Sequence, residues 1–176
     1  MTSCYSLYSF FSLLLVGVSV IKITDYGNAT QDQLLKLNTA LGMVNITVLP
    51  SNIFKQKVLS ATFTETTDTN QQVYDKITGQ DIEISVSFYL PSWWQRMKQR
   101  FSGLAVVAAE CGGGEVTFNA TVFENNSIYD LAGTLLHEAS HAIGYTHDFN
   151  PTPDRPKSVP YQLGDIVTLI VQPQQN

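Results

Sequence analysis

Residues 137 to 147 of this chain read His137-Glu138-Ala139-Ser140-His141-Ala142-Ile143-Gly144-Tyr145-Thr146-His147. On a helix, side chains four residues apart lie on one face, one turn apart, so His137 and His141 can direct their imidazoles at a single ion. Gly144 can adopt a positive φ, which lets the chain leave the helix sharply and return His147 to the same ion. Three protein ligands leave one coordination position open, as a catalytic zinc requires.

Glu138 adds the second element of this chemistry. It lies about 100° around the helix from His137, at the edge of the ligand face. There its carboxylate can contact a water on the metal without becoming a ligand, as a general base must. The chain has three histidines in total, and all three fall in this window at ligand spacing. Accidental placement would not concentrate them in this way, so the stretch predicts a zinc site formed by His137, His141 and His147.

Periodicity predicts mixed helices and strands around this site. A helix is expected over residues 31–41, a second over residues 129–143, and a third over residues 165–171 with Asp165 as its N-cap. Strict alternation predicts a strand over residues 81–89, and the sequence also favours short strands over residues 45–49, 58–63, 104–109 and 115–118. A short helix is predicted to begin at Pro91, and the proline-rich stretch over residues 150–160 is predicted to be irregular.

Composition indicates one domain. The chain has 176 residues, 44% of them hydrophobic, and a net charge of -5 with no long basic run, so we expect no nucleic-acid partner. The apolar stretch over residues 7–20 is too short for a membrane span and typical of a signal-peptide core. We therefore predict a leader over residues 1–21 and a catalytic domain over residues 22–176. The protein would be secreted or extracellular (periplasmic if bacterial), not stably inserted in a membrane after leader removal, and monomeric.

The eleven-residue stretch resembles the long zinc motif HExxHxxGxxH of the metzincins, a superfamily of zinc metallopeptidases. Residues 104–118, with their glycine-rich interruption, resemble the substrate-binding edge strand that precedes the active-site helix in that superfamily. Residues 163–169 resemble the start of its C-terminal helix. The resemblance implies an α+β, zincin-like fold with a small twisted mixed sheet, an active-site helix and a C-terminal helix. It also implies a zinc-dependent endopeptidase that acts on protein or peptide substrates.

One departure from the metzincin pattern concerns the methionine turn beneath the zinc, because no Met follows Met97. By position, Ser158-Val159-Pro160-Tyr161 matches that turn, with Val159 where the methionine would lie. Tyr161 then falls where astacins and serralysins have a tyrosine that can reach the zinc or the oxyanion. The resemblance thus implies a catalytic role for Tyr161 beside Glu138, and simple core packing is the alternative.

Other interpretations stay open at this stage. Asp148, Asp154 or Asp165 could formally supply the third ligand, and Asp148 could instead anchor the loop or a ligand imidazole. The same metal chemistry would hydrolyse a non-peptide amide. A non-catalytic secreted binding module on this fold is a third possibility, although such a module has no use for Glu138. Cys111 could bind zinc as a thiolate, or it could be a small buried residue.

Overall fold

The computed structural model describes residues 20–91, 109–112, 114–148 and 150–173, with residues 109–112 described by their backbone. In chain order the elements are β1 (Ile21–Asp25), α1 (Gln31–Gly42), a π-helical segment (Met43–Val48), α2 (Asn52–Ser60), α3 (Asn70–Thr78), β2 (Ile82–Tyr89), β3 (Ala109–Gly112), β4 (Glu115–Asn119), α4 (Ala120–Asn125), α5 (Ile128–Ala142), a 3₁₀ turn (Arg155–Lys157) and α6 (Val159–Val171). Helices and strands thus combine in the α+β class that the sequence predicts.

The described strands form one sheet in the order β1-β2-β4-β3. β1, β2 and β4 are parallel, and β3 pairs antiparallel with β4 at the edge. β2 alternates as predicted: Ile82, Ile84, Val86 and Phe88 are buried, and the residues between them are more exposed. Successive side chains of a strand point to opposite faces, so this alternation gives the sheet one core face. The mixed sheet and the strands predicted over residues 81–89 and 115–118 are confirmed.

Helix α5 packs against β2 and β3 and carries the histidine motif. It begins after Ser127, whose hydroxyl accepts a hydrogen bond from the Asp130 amide at 3.1 Å and so satisfies an unpaired N–H of the first turn. Leu131, Leu135 and Ala139 are buried on its core side. The helix predicted over residues 129–143 is confirmed to within one residue at each end.

Helices α5 and α6 pack very closely. A Cβ atom added to Gly164 would lie 3.1 Å from the Gly133 carbonyl oxygen and 3.5 Å from the His137 Cβ. Because neither glycine has a side chain, the two backbones can approach where bulkier residues would separate them. This contact brings the first turns of α6 beside the histidine-bearing half of α5.

Two predicted strands are wrong. Residues 43–48 continue α1 as a π-helical segment, and residues 58–60 are the last turn of α2. β-branched residues favour strands only weakly, by less than about 1 kcal/mol each. Here Val44 and Val48 are fully buried when the segment is helical, and the Asn45 side chain bonds both the backbone N–H and the carbonyl of Ile21, at 2.9 Å each. Tertiary contacts therefore outweigh the local preference.

The C-terminal helix is confirmed, but it begins at Val159 and not at Asp165. Pro160 fits its first turn, where a backbone N–H has no intrahelical acceptor in any case. Asp165 lies inside the helix and is no N-cap. The prediction of irregular structure through residue 160 is therefore wrong at its end, and it also missed the 3₁₀ turn over Arg155–Lys157.

The helix predicted to begin at Pro91 lies outside the described residues except for Pro91 itself. Most of the strand predicted over residues 104–109 also lies outside them, and its last residue, Ala109, is the first residue of β3. Ile21, the last residue of the predicted leader, is the buried first residue of β1. In the part of the chain that the structure describes, no helix has both the length and the apolar character that a membrane span needs.

Candidate metal centre

His137 and His141 meet on one face of α5, as their spacing predicts. Their Nε2 atoms lie 3.2 Å apart and their ring centroids 5.0 Å apart. Two nitrogens bound to one tetrahedral zinc at 2.0–2.1 Å are separated by about 3.3 Å. The helix alone therefore places this pair at the separation that shared coordination requires.

The chain after α5 returns His147 to the same point. Gly144 has a φ of +96°, the left-handed conformation that glycine adopts without strain. Two hydrogen bonds close the turn, from the Gly144 amide to the His141 carbonyl at 3.0 Å and from the Tyr145 amide to the Ser140 carbonyl at 3.1 Å. The ring centroid of His147 then lies 5.3 Å from that of His137 and 4.9 Å from that of His141.

The three imidazoles together form a candidate metal site. Their ligand atoms all lie within 4.8 Å of one another, and within the described residues this is the single group of three or more His, Cys, Asp or Glu side chains with that property. Closing the widest pair to tetrahedral spacing needs a movement of about 1.5 Å, which side-chain rotation can supply. Asp148, Asp154 and Asp165 are not in the group, so the structure brings together the histidine set and none of the alternative third ligands.

Each imidazole is oriented by a backbone carbonyl. Nδ1 of His141 lies 2.7 Å from the carbonyl oxygen of Tyr145, and Nδ1 of His147 lies 3.1 Å from that of Asp148. His137 bonds the backbone of Pro160, which must be the carbonyl because proline has no N–H. A carbonyl only accepts, so each neutral ring uses its one proton in this bond. A lone pair is left on the other ring nitrogen, which fits a metal cation.

Two of the three histidines, His137 and His141, are held in the neutral form that binds metal. Burial, together with the smaller effects of the neighbouring His141, His147 and Arg155, lowers the pKa of His137 to about 3, against the opposing effect of its bond to Pro160. Burial also lowers the pKa of His141, against the opposing effect of its bond to Tyr145. Metal and proton compete for the same lone pair, so a depressed pKa means that no proton must be displaced near neutral pH.

Tyr161, on α6, lies beside the histidines. Its ring centroid is 4.8 Å from that of His137, edge-on at 89°, and 4.9 Å from that of His147. The Arg155 guanidinium lies over this ring, 5.2 Å from its centroid. Val159, in the position of the missing methionine, is 1% exposed at the start of α6.

Glu138 follows His137 on α5 and is 4% exposed. A carboxylate is rarely buried to this degree without a partner or a function, because desolvation of its charge is costly. The sequence predicts a carboxylate at the edge of the ligand face, and Glu138 is one of the residues of α5.

Three residues of this region were not singled out as site residues from the sequence: Glu65, Asp68 and Tyr145. The Glu65 carboxylate accepts a hydrogen bond from the Asp148 amide at 3.1 Å, and the Asp68 carboxylate accepts one from the Tyr145 hydroxyl at 2.8 Å. Burial, helped by this bond, raises the pKa of the Tyr145 hydroxyl, which therefore stays a donor. Asp148 itself contacts His147 through its backbone. No local pattern marks residues 65 and 68, since their role depends on contacts with residues about 80 positions later.

Residues 104–118, which resemble the metzincin edge strand with a glycine-rich interruption, contain a hairpin in their described part. β3 is the antiparallel edge strand, and β4 runs inside the sheet. Gly114, with a φ of +89°, lies at the turn between them. The edge strand is thus β3, which also packs against α5.

No family model matches this chain, and comparison with curated proteins and with solved structures gives no significant match. The function of this chain is therefore inferred from the site itself.

Proposed function

We propose that this chain is a zinc-dependent endopeptidase of the metzincin type, with His137, His141 and His147 as zinc ligands. The observation that carries the proposal is the convergence of three imidazoles whose protons are all used by backbone carbonyls, next to a buried glutamate. A structural zinc would have four protein ligands, whereas the described residues offer three.

A bound zinc would supply a Lewis acid for the scissile carbonyl and lower the pKa of a water towards neutrality. In the proposed mechanism Glu138 takes the proton of the attacking water and later delivers it to the departing amine. Its place directly after His137 on α5 and its burial support this role.

Tyr161 is proposed to donate a hydrogen bond from its hydroxyl to the oxyanion that develops on the substrate carbonyl. Its ring packs against two of the three proposed ligands, which supports a place at the reacting group. The nearby Arg155 guanidinium adds positive charge next to Tyr161 and His137. The edge strand β3, with its outer side unpaired among the described strands, is the proposed place where an extended peptide pairs with the enzyme.

The experiment combines metal analysis with a peptide-library digest, with and without chelator. We expect about one zinc per chain, cleavage that chelator abolishes, and loss of both zinc and cleavage in His147→Ala. Glu138→Gln should keep the zinc and lose at least about 100-fold in kcat. The exposed Glu83→Gln, which removes the same charge on β2, is the matched control and should cleave like the parent protein.

Each part of the proposal can fail separately. The metal site would be refuted if the purified parent chain contained no zinc and bound none after incubation with the metal. Zinc binding with no cleavage of any peptide, but turnover of another amide, would favour the hydrolase of a non-peptide substrate. Zinc binding with every biological activity retained in Glu138→Gln would favour a non-catalytic binding module.

A further inference from the structure

We propose that residues 64–68 form a brace that positions two of the three zinc-binding imidazoles, so that zinc affinity depends on residues that never touch the metal. The proposal rests on zinc binding by the histidines and is independent of peptidase activity. It concerns positioning residues, in a loop between α2 and α3 that lies about 70 residues before the motif.

The first connection runs from Asp68 to His141. The Asp68 carboxylate accepts hydrogen bonds from the Tyr145 hydroxyl at 2.8 Å and from the Lys76 ammonium at 2.6 Å. Tyr145 is 6% exposed, and its carbonyl accepts the Nδ1–H of His141 at 2.7 Å. Asp68 therefore fixes the side chain of the residue whose carbonyl sets the orientation of a proposed ligand.

The second connection runs from Glu65 to His147. The Glu65 carboxylate accepts the Asp148 amide at 3.1 Å, and the Asp148 carbonyl in turn accepts the Nδ1–H of His147 at 3.1 Å. Glu65 has a φ of +60°, and it is the one non-glycine residue with positive φ among those described. Side chains disfavour this conformation, so it persists where surrounding contacts enforce it.

The third connection fixes the brace to the turn that precedes Tyr161. The Thr64 amide bonds the Lys157 carbonyl at 3.0 Å, the Thr64 hydroxyl bonds the Asp154 carbonyl at 2.8 Å, and Thr64 forms a parallel bridge with Ser158. Ser158 is fully buried and is directly followed by Val159 and Pro160, whose carbonyl bonds His137. The brace is thereby anchored to the same segment that orients the remaining histidine.

The three connections distinguish the brace from ordinary loop packing. Two of them end on a residue whose carbonyl fixes a proposed ligand, and the third ends just before such a residue. If such a carbonyl loses its own support, the imidazole that donates a hydrogen bond to it can rotate. The nitrogen lone pairs of the three rings then no longer point at one ion. Loss of such outer contacts in metal sites typically lowers metal affinity 10- to 100-fold.

The test measures the zinc dissociation constant of the full chain by competition with a chromophoric chelator. We expect Tyr145→Phe, which removes a single hydroxyl, and Glu65→Ala to weaken zinc binding about 10- to 100-fold. Glu65→Gln retains an acceptor oxygen and should stay within about threefold of the parent chain. In the Co²⁺-substituted protein, the two disruptive variants should also change the visible d–d spectrum, which a purely structural role would not alter.

Asp81→Ala is the matched control. Asp81 forms an ion pair with Lys22, as Asp68 does with Lys76, but it bonds no residue of the metal centre. The zinc affinity of the Asp81→Ala variant should equal that of the parent chain. Thermal unfolding of each metal-free variant checks that the fold is retained, and Tyr145→Phe decides the matter if a larger truncation fails to fold.

Three outcomes would overturn the brace. They are unchanged zinc affinity in both Tyr145→Phe and Glu65→Ala, an equal loss in Asp81→Ala, or no zinc binding by the parent chain. The last outcome would also refute the metal site itself. A parent chain that binds zinc and cleaves no peptide would refute the peptidase, while the comparison between variants would still judge the brace.

Discussion

At the residue scale, each candidate ligand histidine is oriented by a backbone carbonyl. Pro160, Tyr145 and Asp148 each offer a carbonyl to one ring. Burial then keeps His137 and His141 neutral. Tyr161 joins this group because its ring packs edge-on against His137.

Tyr161→Phe tests that placement. The variant keeps the ring that packs against His137 and His147 and removes the proposed oxyanion donor. We expect full zinc content and a fall in kcat of about 100-fold, measured with a cleaved peptide at saturating concentration. Tyr26→Phe removes a hydroxyl that bonds Asn38 outside the metal centre and should be neutral. Full activity of Tyr161→Phe would leave Tyr161 with a packing role alone.

At the scale of elements, the contact between α5 and α6 sets the geometry of the site. A Cβ on Gly133 would collide with the Thr168 hydroxyl and lie 2.7 Å from the Gly164 carbonyl oxygen. The second obstacle is backbone, which cannot rotate away. Because α6 carries Tyr161 and the Pro160 carbonyl, any separation of these helices also moves two groups away from the histidines.

Gly133→Ala should therefore destabilise the protein. Overpacking of a tight contact costs about 1–3 kcal/mol, and here it exceeds the gain in helix propensity of about 1 kcal/mol. Gly42→Ala is the matched control, since nothing lies within 4 Å of its added Cβ and its backbone is helical. It should stabilise the fold slightly. Urea unfolding of both metal-free variants gives the comparison, and a Gly133→Ala variant as stable as the parent would contradict the close contact.

At the scale of the whole molecule, the buried histidines link stability to pH. An unfolded histidine has a pKa near 6.5, whereas the pKa of His137 in the fold is about 3. Between these values the unfolded chain binds more protons than the folded chain. Stability is therefore fully present above about pH 6.5 and is lost as the pH falls, with His141 contributing in the same direction.

Metal-free protein should accordingly lose on the order of 1–2 kcal/mol of unfolding free energy between pH 7 and pH 5. Urea unfolding at several pH values measures this loss. The carboxyls of Asp68 and Asp81 have lowered pKa values, so they affect stability only below about pH 4 and do not disturb this window. His137→Gln should flatten the dependence. An equally steep loss in that variant would show that other groups cause it.

Much of the site was predictable because its determinants are local. Helical spacing brings His137 and His141 together, and a glycine at residue 144 allows the turn that returns His147. Strand β2 was predictable for a similar reason, since the alternation of its polar and apolar residues indicates one buried face. Residues 45–49 were mispredicted as a strand because their β-branched side chains gave a local signal that burial of Val44 and Val48 overrode.

The amino-acid sequence by itself determined the three candidate ligands, the adjacent glutamate and the mixture of helices and strands, because periodicity and motif spacing act within one or two turns of chain. Only the tertiary structure decided which carbonyl orients each imidazole, how Tyr161 approaches them, and that residues 64–68 anchor the loop behind them. The contacts of Pro160, Tyr161 and residues 64–68 join positions tens of residues apart, and the energies of all these contacts depend on burial and distance. A linear pattern does not encode either quantity.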